Sequence, residues 1–196
     1  MMSAVISAPL QRLHQLSWQP GEWMDEGWWQ TLSLAPWQQC YQRYPASRGR
    51  LNHLIARRCR ETLGPLPASL SAPQEQLMSL ESKLPRLCTA LGLMAIGCPD
   101  YLLLGEYRRQ LAFSLGERGC DQLMVLGSFT SPPLAMLTAE ALPAMAQARG
   151  IGWLCSAAPQ CPVIEALRMV LPPTEATTET TLGSPIPWLL RIGRFL

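Results

Sequence analysis

The chain is short of charge and of the residues that carry most side-chain chemistry. Charged residues make up 15% of its 196 positions, and the formal net charge is +2, too small to set up a field that steers polyanions. His14 and His53 are the only histidines, so there is little to serve as a general base. His53 and Cys59 fall on one predicted helix, but on different sides of it, which excludes a nucleophile–base pair. Asp25 and Glu26 are adjacent, and neighbouring helical residues point apart. Lys83 is the single lysine, and no glycine-rich loop precedes it, so a phosphate-cradling loop is excluded; a GxSxG elbow is missing too. There is no CxxC, and the closest cysteine pair, Cys155 and Cys161, has no histidine nearby; no metal site is expected. Long apolar runs are also missing. Ala90 to Cys98 is the longest, less than half of the about 20 residues a spanning helix needs. Met1 to Leu10 lacks a basic region and a sustained apolar core, so no secretory signal is expected. These absences predict a soluble, cytosolic protein that is not an enzyme and holds no cofactor.

What is present is apolar and punctuated. Hydrophobic residues make up 48%, with 18 prolines and 14 glycines, which predicts short helices rather than long rods. No segment alternates β-branched residues, so the expected fold is all-α: a compact multi-helix domain of short helices with a flexible C-terminal tail. The seven cysteines are odd in number and scattered. Cys59, Cys88 and Cys98 sit among aliphatic neighbours, as small buried hydrophobes with free thiols do.

Leu77 to Leu126 carries the clearest helical pattern. Ser71 followed by Gln74 fits a capping box. Leu77, Leu80 and Leu84 recur at helical spacing, and Pro85 opens a helix through Leu87, Leu91, Met94 and Ala95 to Gly97, a C′ candidate. Pro99 restarts the chain into a stripe of Leu104, Tyr107, Leu111 and Leu115, ended by Gly116, and Cys120, Leu123 and Met124 form a short helix. Leu84, Leu87, Leu91, Leu104, Leu111 and Leu123 are the expected core. Ser131-Pro132-Pro133 introduces a helix with Leu134, Leu137 and Leu142 that Pro143 kinks or restarts and Gly150 ends. Pro162 begins another, with Ile164, Leu167 and Leu171 on one face, stopped by Pro172-Pro173.

Four regions follow from composition. Residues 1–64 form a Trp/Arg-rich helical part packed on the core, 65–73 a linker, 74–173 the Leu-rich helical core, and 174–196 a flexible polar tail with an apolar, basic end. Five of the seven tryptophans, Trp18, Trp23, Trp28, Trp29 and Trp37, crowd the first of these. They either cover one end of the core or leave one or two rings as partner anchors. Ser47 caps a predicted helix from Arg48 to Leu63, stopped at Gly64, that carries Arg48, Arg50, Arg57, Arg58 and Arg60. It reads as a solvated face or a dock for an acidic protein, with nucleic-acid binding as the alternative; no second basic stripe supports the latter. Candidate partner-binding residues are therefore Trp18, Trp23, Trp28, Trp29, Arg50, Arg57, Arg58 and, on the terminal segment, Trp188, Arg191 and Phe195.

Two stretches carry a resemblance. Trp18-Gln19-Pro20-Gly21-Glu22-Trp23 resembles the aromatic-x-Pro-x-x-aromatic start of the cytosolic accessory proteins of bacterial type III secretion, the SctK/YscK family with its OrgA and MxiK relatives. Leu84 to Gly127 is similar to that family's leucine-rich middle. There a Cys-x-x-Leu-Gly-Leu run precedes helices with paired arginines, here Cys88 to Leu93 and Arg108-Arg109. Where the family often has a histidine after the second aromatic, this chain has Met24-Asp25-Glu26. The resemblance implies an all-helical, non-enzymatic adaptor at the cytosolic face of the bacterial inner membrane. Its implied partners are an SctD-type ring protein, an SctQ-type pod protein and an SctL-type linker, with no nucleic acid and no cofactor.

Overall fold

The computed structural model describes residues 6–59, 65–134, 137–175 and 180–196. Its helices are α1 (Ala8–Trp18), α2 (Pro20–Trp23), α3 (Gly27–Thr31), α4 (Ala35–Arg43), α5 (Pro45–Cys59), α6 (Ala72–Ser79), α7 (Leu84–Ile96), α8 (Asp100–Leu103), α9 (Gly105–Leu115), α10 (Glu117–Leu126), α11 (Leu142–Cys155), α12 (Pro162–Leu167) and α13 (Pro185–Ile192). Three short 3-10 turns complete the regular structure, and no strand occurs among the described residues. The protein is all-α, as its pattern predicts. Proline sits in the first two positions of α1, α2, α4, α6, α7, α11, α12 and α13. Its missing N–H is one of the donors a helix start leaves unpaired anyway. The chain divides into two compact units, Met1–Glu81 with Ala158–Pro173, and Ser82–Ala157 with Thr174–Leu196.

In the first unit, α1 buries Leu10, Leu13 and Leu16, and α12 packs against α1 and α6. A second cluster joins Met24, Trp29, Leu34, Tyr41, Leu51, Ile55 and Met169. The Asn52 side chain is buried beside it, and its oxygen is paired twice. Its Oδ1 accepts the Gly21 N–H at 3.0 Å and the Tyr41 hydroxyl at 3.2 Å. At Ser71 the reach-back half of the capping box is formed, with Gln74 Oε1 accepting the Ser71 N–H at 2.9 Å. The basic helix starts earlier than its serine suggests. Pro45 opens α5, and Ser47 lies inside the first turn, its hydroxyl donating to Tyr44 O at 2.7 Å. The predicted end of that helix, with Arg60 and Gly64, lies outside the described residues.

The second unit is organised by the crossing of α7 and α11. A Cβ on Gly92 would lie 1.7 Å from Ala146 O, and one on Gly150 1.8 Å from Cys88 O, so the two backbones touch. Gly150 therefore does not end a helix, as its neighbours suggested; it lies inside α11 because only a missing side chain lets the helices meet. Gly97 does end α7, with φ 68°. Leu84, Leu87, Leu91, Leu111 and Leu123 are all buried. Leu104 is not: it is 48% exposed, because an extended residue there (φ −73°, ψ 127°) separates α8 from α9 and breaks the expected stripe. The helix predicted after Ser131 does not form among the described residues before Leu142. Pro132 and Pro133 have no N–H to give, and tyrosines bind the backbone instead. The Tyr101 hydroxyl accepts the Leu134 N–H at 2.7 Å, and the Tyr107 hydroxyl donates to Leu137 O at 3.0 Å.

The terminal segment belongs to this unit. Leu189 and Ile192 of α13 are buried, and Leu196 presses on Gly119. Trp153 Nε1 donates to Gly183 O at 3.0 Å. Of the tail expected to be flexible, residues 176–179 lie outside the described residues.

None of the seven cysteines is in a disulfide, and Cys88, Cys98, Cys120 and Cys161 are buried. Burial pushes the Cys88 and Cys120 thiols and the Tyr101 and Tyr41 phenols above their ordinary values. The folded chain thus keeps protons that the unfolded chain releases at about pH 8.5 to 10. Stability is full below that range and falls as pH rises through it. Thermal melts between about pH 7 and pH 10 should show a steady fall in Tm; a flat profile would contradict the burial of these groups.

Candidate interaction surfaces

The aromatic end of the first unit is set by the period of α1. Ser7 caps the helix, its Oγ accepting the Leu10 N–H at 3.4 Å. With Leu10, Leu13 and Leu16 turned inward, Gln11, His14, Gln15 and Trp18 line an open groove of about 680 Å³ completed by Ile6 and Ala68. Trp18 is 66% exposed at its edge. Trp23 is partly exposed, with one face covered by the Arg12 guanidinium 3.9 Å from its centroid. Arg12 is held in turn by Glu81, Nε to Oε2 at 2.9 Å and Nη2 to Oε1 at 2.6 Å, and that bonding raises its pKa. A fixed cation beneath an indole orders the ring before any partner arrives.

Of the other three tryptophans of this group, Trp37 is 52% exposed and two turn inward. Trp29 is buried against Tyr41, ring centroids 5.4 Å apart. Trp28 is half-buried and donates Nε1–H to Leu171 O at 2.9 Å. Replacing Trp28 by phenylalanine keeps an aromatic ring, though a smaller one, and removes the donor, leaving that carbonyl short of a partner. It should lower stability by about 1 kcal/mol in a denaturant titration, whereas an unchanged midpoint would argue against the bond.

The basic helix is less free than its sequence suggests. Arg48 donates to Tyr41 O at 3.1 Å and Gln42 O at 3.3 Å, and Arg58 Nη1 donates to Leu32 O. Arg50 and Arg57 are exposed and share a face two turns apart. Two open arginines are few for phosphate binding, which recruits several cations across a larger surface.

On α13, Trp188 is half-buried and donates Nε1–H to Leu182 O at 3.2 Å. Arg191 is exposed, its guanidinium 6.0 Å from the Trp188 centroid, and Phe195 is half-buried. Helical phase would have found further exposed groups that the sequence reading passed over. Phe113 stands two residues beyond buried Leu111, and Val125 two beyond buried Leu123, so both face away from the core. Nearby, Arg108 clamps α9 to α10, with Nε on Glu117 Oε2 at 2.6 Å and Nη2 on Asp121 Oδ1 at 2.7 Å.

Among the described residues no group of three or more histidine, cysteine or acidic side chains could hold a metal ion, and no helix is long and apolar enough to cross a membrane. The fold and its surfaces thus define a helical protein whose distinctive features are open aromatic and arginine-bearing faces. One family model, described as type III secretion system subunit, matches residues 11–173. The chain belongs to that family of secretion subunits. No curated protein and no solved structure matches it. Membership places it among proteins that work within the secretion apparatus, alongside other protein subunits.

Proposed function

We propose that this subunit is an SctK/YscK-type adaptor of the injectisome. It stands at the cytosolic face of the inner membrane and bridges an SctD-type ring protein to the sorting platform, built from SctQ-type pods and an SctL-type linker. Its work is binding, not catalysis. The observation that carries this reading is the Trp18 groove: an exposed indole at the edge of a trough of mixed apolar and amide lining, on a unit that also presents a second, partly exposed indole held by the Arg12–Glu81 pair. Aromatic anchors of this kind concentrate interface energy. Arg50 and Arg57, exposed on α5, offer cations suited to acidic side chains.

Purified chain is titrated with the purified pod protein and with the cytosolic part of the ring protein. Trp18→Ala with Trp23→Ala should weaken one of these by about 30-fold, the effect of losing a hot spot of about 2 kcal/mol. Melting of Trp18→Ala alone should stay close to that of the parent, since Trp18 is mostly in solvent, and the single variant should already weaken the binding. Trp23→Ala also removes the ring that covers Arg12 and should lower melting somewhat. Binding of neither partner by the parent, or equal binding by the variant, would end this reading.

A further inference from the structure

The second unit carries a surface of different chemistry. Leu196 rests on Gly119, where a Cβ would come within 2.6 Å of its Cδ2, and this seats the chain end against α10. Between them opens a groove of about 480 Å³. Its apolar lining is Val125, which is 89% exposed, the half-buried Leu126 and the half-buried ring of Phe195. Arg118 of α10, Arg191 of α13 and Arg194 just beyond it line the rim, all exposed, and none of the three is in an ion pair among the described residues. The one acid in the lining, Asp121, is already bonded to Arg108 at 2.7 Å. Three open cations thus share a groove with apolar side chains in a protein whose total formal charge is only +2.

We propose that this groove receives an acidic amphipathic helix from a protein partner. Arg118 and Val125 lie seven residues apart on one face of α10, about two turns, the contact length of a helix laid in a groove with apolar anchors at i, i+3 or i+4 and i+7. Arginine forks take carboxylates two hydrogen bonds at a time, while Val125, Leu126 and Phe195 offer apolar contact to leucine- or phenylalanine-sized side chains. An anionic lipid surface would satisfy the arginines and has no use for a trough. The site is separate from the α1 groove and goes beyond the role proposed for it.

The full chain is titrated by fluorescence anisotropy with a synthetic helix carrying leucine at i, i+3, i+4 and i+7 and glutamate elsewhere. A matched leucine–lysine helix and phosphatidylglycerol vesicles are run beside it. The glutamate helix should bind, and raised salt should weaken it. Combined Arg118→Glu, Arg191→Glu and Arg194→Glu should weaken it about tenfold or more, and so should Val125→Glu. All four side chains are exposed, so melting should be unchanged. Trp18→Ala should leave this binding intact, which separates this site's failure from that of the α1 groove. No binding of the glutamate helix, equal binding of the lysine helix, indifference to the charge reversals, or capture of vesicles without the helix would each overturn the proposal.

Discussion

Replacing Gly150 by alanine should destabilise the protein by about 3 kcal/mol, although alanine is the better helix former. In an open helix interior the same change stabilises by roughly 0.5 to 1 kcal/mol. At Gly150 the new methyl would sit 1.8 Å from Cys88 O, and at Gly92 1.7 Å from Ala146 O. Both obstacles are backbone, so no rotamer change relieves them. The helices would have to part, loosening the contacts of Leu87, Leu91, Leu142 and Leu154, all buried. Gly49 supplies the control. It lies inside α5 with nothing within 4 Å of its would-be Cβ, and Gly49→Ala should raise stability by about 0.5 kcal/mol or more. Denaturant midpoints for the two variants should therefore move in opposite directions. A Gly150→Ala protein at least as stable as the parent would mean that α7 and α11 do not touch.

Leu189→Asp should be more damaging still, at about 4 kcal/mol or more. It removes a buried leucine and puts an unpaired charge in its place. Leu189 and Ile192 have no exposed surface, and α13 packs on α7 and α11. Arg194→Ala, on the exposed side of the same segment, should change little. If residues 185–196 were a detached tail, both variants would melt like the parent.

The sequence made the fold class and much of the second unit legible, because local signals there agree with tertiary needs. The Leu87–Leu91 spacing, Pro85 and Gly97 each follow from helix geometry alone, and the α7 core followed from them. Gly150 was misread because a glycine late in an apolar helix looks the same whether it ends the helix or admits a neighbour. Only the partner's backbone, 62 residues earlier at Cys88, distinguishes the two. Leu104 was misplaced because no proline marks the break between α8 and α9. The return of Ala158–Pro173 to the first unit rests on long-range packing, which local periodicity does not encode. At the candidate surfaces, the tryptophans were visible as a cluster, but their orientation depended on phase. Trp18 and Trp29 are of one residue type, yet one stands in solvent and the other against Tyr41. The groove at Val125 escaped notice because its arginines come from α10 and from α13 and just beyond it, segments some 70 residues apart. The SctK/YscK resemblance rested on Trp18 to Trp23 and on Leu84 to Gly127, and the secretion-subunit family spans both stretches.

Bridging is tested most directly by imaging the assembly in cells that lack this subunit. With the ring protein and the pod protein carrying different fluorescent labels, deletion should leave ring foci at the membrane and disperse the pods. The parent chain should restore them, and the Trp18→Ala, Trp23→Ala variant should not. Pods that still gather at the ring without the subunit would contradict the proposed bridging.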